Sequence, residues 1–254
     1  MPDADDVTDQ QMAAFESAKA AVAAWLLRLG AVSEVLTADG LRAYPKRGFA
    51  AGWRLPVQFS DGARRVDLLL PIGFPWQPPR IALVDRPPFL RWPHVERDGI
   101  LCLASNMLDV DPDDPAGVAA YMLDDAAKLI ERLIAGELDT DFQDEFLSYW
   151  DYAVDEGGPH FISLLRAEPP TRRVRVWRGK KVYILAETDA ELDGWLVNRF
   201  GKKPGGYRTE PAAYLWLGTA PAPSDYPRTG QALRQLAATA GEEANALLSD
   251  FVRR

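Results

Sequence analysis

The chain has 254 residues, 47% hydrophobic and 26% charged, a globular composition that argues against disorder and suffices for one large domain or two small ones. No apolar run approaches the roughly 18 residues of a membrane span. The acidic start Met1-Pro2-Asp3-Ala4-Asp5-Asp6 resembles neither a secretory nor a transit peptide, and one cysteine with two histidines excludes an internal disulfide framework and a cysteine-rich zinc site.

In chain order, Phe15, Val22, Trp25, Leu26 and Leu29 repeat at helical spacing, with Thr8 and Gln11 as a capping box and Gly30 as the C-terminal cap. Strands are expected at Leu41–Tyr44, Trp53–Phe59 and Val66–Ile72, with Ser60-Asp61-Gly62 as the turn between the last two and a fourth strand at Ile81–Val84. Prolines 75, 78, 79, 87, 88 and 93 exclude helix from residues 74–94. Asp114 and Pro115 read as an N-cap and first-turn proline, opening a helix with Val118, Met122, Leu129, Ile130 and Leu133 on one face and Gly136 past its end. A third helix is expected from near Thr140, carrying Phe142, Phe146, Leu147 and Trp150 inward. Helix, antiparallel strands, proline-rich loop and helices make an α+β plan.

The charge balance changes sign along the chain. Residues 1–158 carry 27 Asp+Glu against 14 Lys+Arg, and residues 159–254 carry 10 against 15. The change falls at Glu156-Gly157-Gly158-Pro159, which breaks regular structure. Two domains are therefore expected, 1–158 and a smaller α/β unit at 159–254. In the second, Arg173–Trp177 and Val182–Ala186 form a hairpin around Gly179-Lys180, with Val174 and Val176 inward and Arg173 and Arg175 in water. Asp189–Phe200 reads as a helix over Leu192, Trp195 and Leu196, Tyr214–Leu217 as a short buried strand, and Thr229–Ala240 and Glu242–Arg253 as closing helices. Arg172, Arg173, Arg175, Arg178, Lys180 and Lys181 form the densest basic stretch, which serves an acidic partner, the acidic first unit or, most plainly, a solvated strand face.

No phosphate-binding glycine loop, dinucleotide fingerprint, His-Glu-x-x-His or Gly-x-Ser-x-Gly sequence is present, so no cofactor and no metal are expected. The acidic first part makes nucleic acid an unexpected partner. Membranes are unexpected too, and the cytoplasm is the expected location. The chemistry that remains centres on Cys102, in Gly99-Ile100-Leu101-Cys102-Leu103. A cysteine between leucines, taken alone, is more often a small core residue than a nucleophile.

Its surroundings change that reading. Phe74-Pro75-Trp76-Gln77-Pro78-Pro79, then Trp92-Pro93-His94, then Gly99-Ile100-Leu101-Cys102-Leu103 together resemble the ubiquitin-conjugating enzyme family over roughly residues 10–155. That family has a Tyr-Pro-aromatic-x-Pro-Pro run, a His-Pro-Asn turn and a Gly-x-Ile-Cys-Leu sequence with the catalytic cysteine. The family's Asn precedes its cysteine by eight residues, the position that His94 occupies here. The resemblance implies the ubiquitin-conjugating fold, an antiparallel sheet with flanking helices. It also implies a thiolate at Cys102 that takes the C-terminus of a protein modifier as a thioester from an activating enzyme and passes it to an amine. His94 would replace the oxyanion-supporting Asn as a donor, act as acid or base, or only fix the turn. Asp109 and Asp111, on the loop after the cysteine, are candidates for positioning the incoming amine, against the alternative of a solvated loop. The resemblance extends to divergent bacterial members of antiphage (CBASS-type) and ubiquitin-like conjugation operons, some fused to an activating domain. It thereby names the modifier as a ubiquitin-like protein or the C-terminus of an antiviral nucleotidyltransferase. Two other readings remain open: a non-catalytic binding module of the same fold, and a cysteine hydrolase pairing Cys102 with His94 or His160.

Overall fold

The computed structural model describes residues 4–103, 110–153, 158–201 and 209–252. The chain divides into two compact units, Met1–Asp141 and Phe142–Arg254. This division falls ahead of the Glu156–Pro159 break, so the aromatic segment after Asp141 groups with the second unit and not with the first.

In the first unit, helix α1 (Ala4–Arg28) is followed by β1 (Glu34–Val35), α2 (Ala38–Leu41), β2 (Phe49–Phe59), β3 (Gly62–Pro71), β4 (Arg80–Leu83) and α3 (Pro115–Ile134). The four strands pair in chain order as an antiparallel sheet. The expected turn is there: Phe59 faces Gly62 across it, and Gly62 has φ +136°, a conformation that glycine adopts without steric cost. Asp114 caps α3, its carboxylate accepting from the Gly117 amide at 2.9 Å, with Pro115 in the first turn. The α3 residues Ala119, Met122, Ala126, Ile130 and Leu133 are buried. They join Phe15, Val22 and Leu26 of α1 and Trp53, Leu55, Val66, Leu68 and Leu70 of the sheet in one core. Each Leu, Ile or Met so buried contributes about 1.5–3 kcal/mol.

Three expectations for this unit are corrected. Helix α1 starts at Ala4, so Thr8 lies inside it and the Thr8–Gln11 capping box does not open it. Leu29 lies past the end of α1 and is exposed, while Gly30 takes the left-handed conformation, φ +63°, and donates to the Leu27 carbonyl. Leu41–Tyr44 is no strand: the Thr37 side chain caps α2 by accepting from the Gly40 amide, and turns carry the chain on to Tyr44. Tyr44 serves instead to reach a buried carboxylate. Asp67, in the middle of the apolar β3, has no exposed surface. It accepts two bonds from Arg54, each 2.8 Å, and one from the Tyr44 hydroxyl at 2.7 Å. Arg54 and Asp67 face each other across β2 and β3, so the pair also pins the strand register.

The second unit holds α4 from Phe142 onward (Asp141–Asp144 in full), α5 (Phe146–Ala153), β5 (His160–Ser163), β6 (Arg172–Arg178), β7 (Val182–Ala186), α6 (Asp189–Phe200), β8 (Thr209–Tyr214), a 3-10 turn (Pro223–Asp225), α7 (Gly230–Thr239) and α8 (Glu242–Val252). The sheet order is β5-β7-β6-β8, with β5 and β7 parallel and the other pairs antiparallel. The hairpin and α6 stand as expected. A full capping box, Thr188 with Glu191, opens α6, and left-handed Gly201 closes it. Leu192 and Leu196 pack on Trp177, Ile184 and Ala186. Val174 and Val176 are buried on the alternate positions of β6.

The expected single helix from Thr140 is broken at Glu145. Leu147 is exposed, and Tyr149, not named in the stripe, is buried with its ring against Phe142. The strand placed at Tyr214–Leu217 instead ends at Tyr214. The four arginines of the basic stretch pair within the unit: Arg172 with Glu187, Arg173 with Asp250, Arg175 with Asp189 and Arg178 with Glu210. These pairs favour the plainer account of a solvated, self-paired strand face.

Candidate active site around Cys102

Cys102 sits at the end of a backbone-stitched turn. The Leu83 amide donates to the Gly99 carbonyl at 2.8 Å and the Leu101 amide to the Ile81 carbonyl at 2.9 Å, so residues 99–101 run beside β4. On the other side, the Glu96 amide donates to the Ile100 carbonyl at 2.8 Å, and the Cys102 amide to the His94 carbonyl at 2.9 Å. Gly99 explains why the segment begins with glycine. Its φ is +92°, and a Cβ there would lie 2.5 Å from the Leu83 carbonyl oxygen, closer than any real side chain tolerates.

Cys102 differs from its neighbours in exposure. Ile100, Leu101 and Leu103 are buried, while Cys102 is exposed. The thiol is thus no core filler. It is presented to solvent between buried neighbours that fix its backbone, as a nucleophile requires.

The turn itself is braced by charge. Arg47 bonds Asp98 at 3.0 Å and also Glu96, and Arg80 lies 3.6 Å from Glu96. Burial opposes the Arg47 charge, but the bonds to Glu96 and Asp98 outweigh it and raise the guanidinium's hold on its proton.

His94 has φ +58°. Among non-glycine residues this left-handed region is visited mainly by Asn, Asp and His, so a backbone position suited to Asn is met here by His. The ring's Nε2 lies 2.8 Å from Oδ2 of Asp141, the first residue of α4, with 16% and 29% of the two side chains exposed. The structure therefore joins His94 to Cys102 through the backbone and to Asp141 through the side chain. Asp141 escaped the sequence reading. It is 47 residues from His94 and stands in no motif, so no sequence signal pointed to it.

The described contacts of Asp111 stay within its own turn. It is exposed, its carboxylate accepts from the Asp113 amide at 3.0 Å, and its carbonyl accepts from the Asp114 amide. Asp109 lies outside the described residues. His160 is an exposed residue of β5 whose amide donates to the Lys181 carbonyl.

The family model described as prokaryotic E2 family B matches residues 26–157, more than half of the chain, with Cys102, His94 and Asp141 inside the match. The chain belongs to prokaryotic E2 family B. Its E2 membership agrees with the antiparallel sheet and flanking helices of the first unit. A curated relative is similar to it: the ATP-dependent ubiquitin transferase-like protein Cap2 of Pseudomonas aeruginosa (strain BWHPSA011 / Pa011), 33% identical over 132 residues. That alignment takes in 46% of this chain and 24% of Cap2, so this E2 family member spans about a quarter of the relative's length. No solved structure matches the chain. No helix among the described residues is long and apolar enough to cross a membrane.

Proposed function

We propose that this E2 family member is a cysteine-dependent acyl carrier with the ubiquitin-conjugating fold. The observation that carries the reading is the exposed Cys102, held on a rigid turn and bonded through its backbone to the residue eight positions before it. The Cys102 thiolate attacks the adenylated C-terminus of a protein modifier held by an activating enzyme. The C–S bond forms, AMP leaves, and the modifier rides on the sulfur as a thioester. An amine then attacks the carbonyl carbon, the C–N bond forms, and the sulfur departs as thiolate while the amine gives its proton to a base.

His94 stands where the family carries its oxyanion-supporting Asn, and two roles fit it: donor to the oxyanion as imidazolium, or base toward the amine as neutral imidazole. Asp109 and Asp111 keep their proposed role in placing the incoming amine. The family and the relative's name point to a ubiquitin-like modifier, and the nucleotidyltransferase C-terminus is the second candidate. The competing reading is a binding module of the same fold, favoured by the absence of the family's Asn.

Covalent trapping separates the two. In the presence of the activating enzyme and modifier, Cys102→Lys gives an adduct that survives reductant, because an amide replaces the thioester, and Cys102→Ala gives none. A wild-type chain that binds the modifier without any covalent adduct supports the binding module and overturns the carrier.

A further inference from the structure

We infer that Asp141 is a positioning residue of the Cys102 site, acting through His94; the inference rests on the carrier reading above. The backbone of His94 is fixed by its left-handed conformation and by the bond its carbonyl accepts from the Cys102 amide at 2.9 Å. Its ring is fixed by Asp141, with Nε2 and Oδ2 2.8 Å apart. A carboxylate only accepts, so this contact places a hydrogen on Nε2 whether the ring is neutral or charged. The carboxylate thus sets both the orientation of the ring and the nitrogen that carries this hydrogen. Both side chains are partly withdrawn from water, which strengthens the bond relative to one on the open surface. Asp141 has no described contact with Cys102, so its effect on the sulfur is exerted by holding the ring.

The test uses the full chain and a small acyl probe. Cys102, the only thiol in the chain, exchanges with the mercaptoethanesulfonate thioester of N-acetylglycine: its sulfur takes the acyl group and mercaptoethanesulfonate leaves. Discharge to free lysine is then followed by intact mass for wild type, Asp141→Asn, Asp141→Glu, His94→Gln and the Asp141→Asn/His94→Gln double variant. Asp141→Asn is expected to slow discharge by about tenfold or more, Asp141→Glu to recover part of the rate, and the double variant to be no slower than His94→Gln alone. Nitrogen-15 spectra of the two imidazoles, assigned with His94→Gln, are expected to show a hydrogen on Nε2 of His94 in wild type and mixed tautomers in Asp141→Asn. A discharge rate for Asp141→Asn within twofold of wild type overturns the inference, as do multiplicative losses in the double variant or an unchanged His94 tautomer. A wild type whose Cys102 takes no acyl group from the probe, or never passes it to lysine, overturns the carrier reading itself, and is told apart because the tautomer still responds to Asp141→Asn; a wild type that discharges no faster than His94→Gln overturns the inference alone.

Discussion

At the scale of single residues, the site depends on three backbone conditions before any chemistry: glycine at 99, a left-handed residue at 94, and an amide at 102 that reaches back to it. Gly99 is the most demanding of these, because positive φ and the close Leu83 carbonyl act together. Gly99→Ala is expected to cost about 1–3 kcal/mol from the conformation alone and to displace Cys102 as the turn moves away from β4. Denaturant unfolding with acylation of Cys102 by a small thioester checks this; a variant of wild-type stability and reactivity would show that the turn does not position the thiol. His94 shows how one exchange alters the site without altering its path. His tolerates the same left-handed backbone as Asn, so the turn persists while an amide gives way to an ionisable ring.

The elements differ in how plainly their residues announced them. Helix α3 was legible because Asp114, Pro115 and an apolar stripe signal start and face together, and the β2–β3 hairpin because glycine follows Ser60-Asp61 between two apolar runs. Leu41–Tyr44 misled because two apolar residues alternate with others there, while the decisive signals, the Thr37 cap and the long reach of Tyr44 to Asp67, lie outside the segment. Strand β5 was missed altogether. It has four residues, and its pairing with β7 is parallel and distant in sequence, so neither length nor a tight turn marked it. Of the candidate site, Cys102 and His94 were legible through the resemblance of their motifs to a known family and Asp141 was not, because only the fold brings it to the imidazole.

The sheet also carries two testable charge pairs. Arg54→Ala would leave the fully buried Asp67 carboxylate with Tyr44 as its remaining described partner, and a loss of about 3 kcal/mol is expected, read as a lower denaturant midpoint; an unchanged midpoint would mean the pair does not hold the register. The same surroundings act on Tyr44: burial, and then the bond it donates to Asp67, push its hydroxyl well above the ordinary phenol range. Asp85 lies nearer the surface. The bonds it accepts from Arg65 hold it down at about 2 from an ordinary value of 3.8. A carboxyl lowered on folding stabilises the protein above its unfolded value and loses that contribution as pH falls through the folded one. Asp85→Asn is therefore expected to flatten the decline of stability between about pH 4 and pH 2, by a modest amount given its exposure. Identical acid limbs for the two proteins would contradict this.

For the molecule as a whole, the excess of base in residues 159–254 outlasts its internal pairing: Glu187, Asp189, Glu210 and Asp250 pair with the arginines of β6 and are already counted in the balance of 10 against 15. The first part keeps its surplus of acid, 27 Asp+Glu against 14 Lys+Arg over residues 1–158, a balance that disfavours non-specific nucleic-acid binding there. The match to prokaryotic E2 family B covers residues 26–157, and a single thiol makes the proposed carrier chemistry simple to assay. The most direct measurement is the intact mass of the full chain, produced together with its genomic neighbours, before and after reductant. The carrier account predicts a protein-sized adduct on wild type that reductant removes and that Cys102→Ala never acquires, its mass naming the modifier. No adduct on wild type, or one that persists on Cys102→Ala, would contradict it.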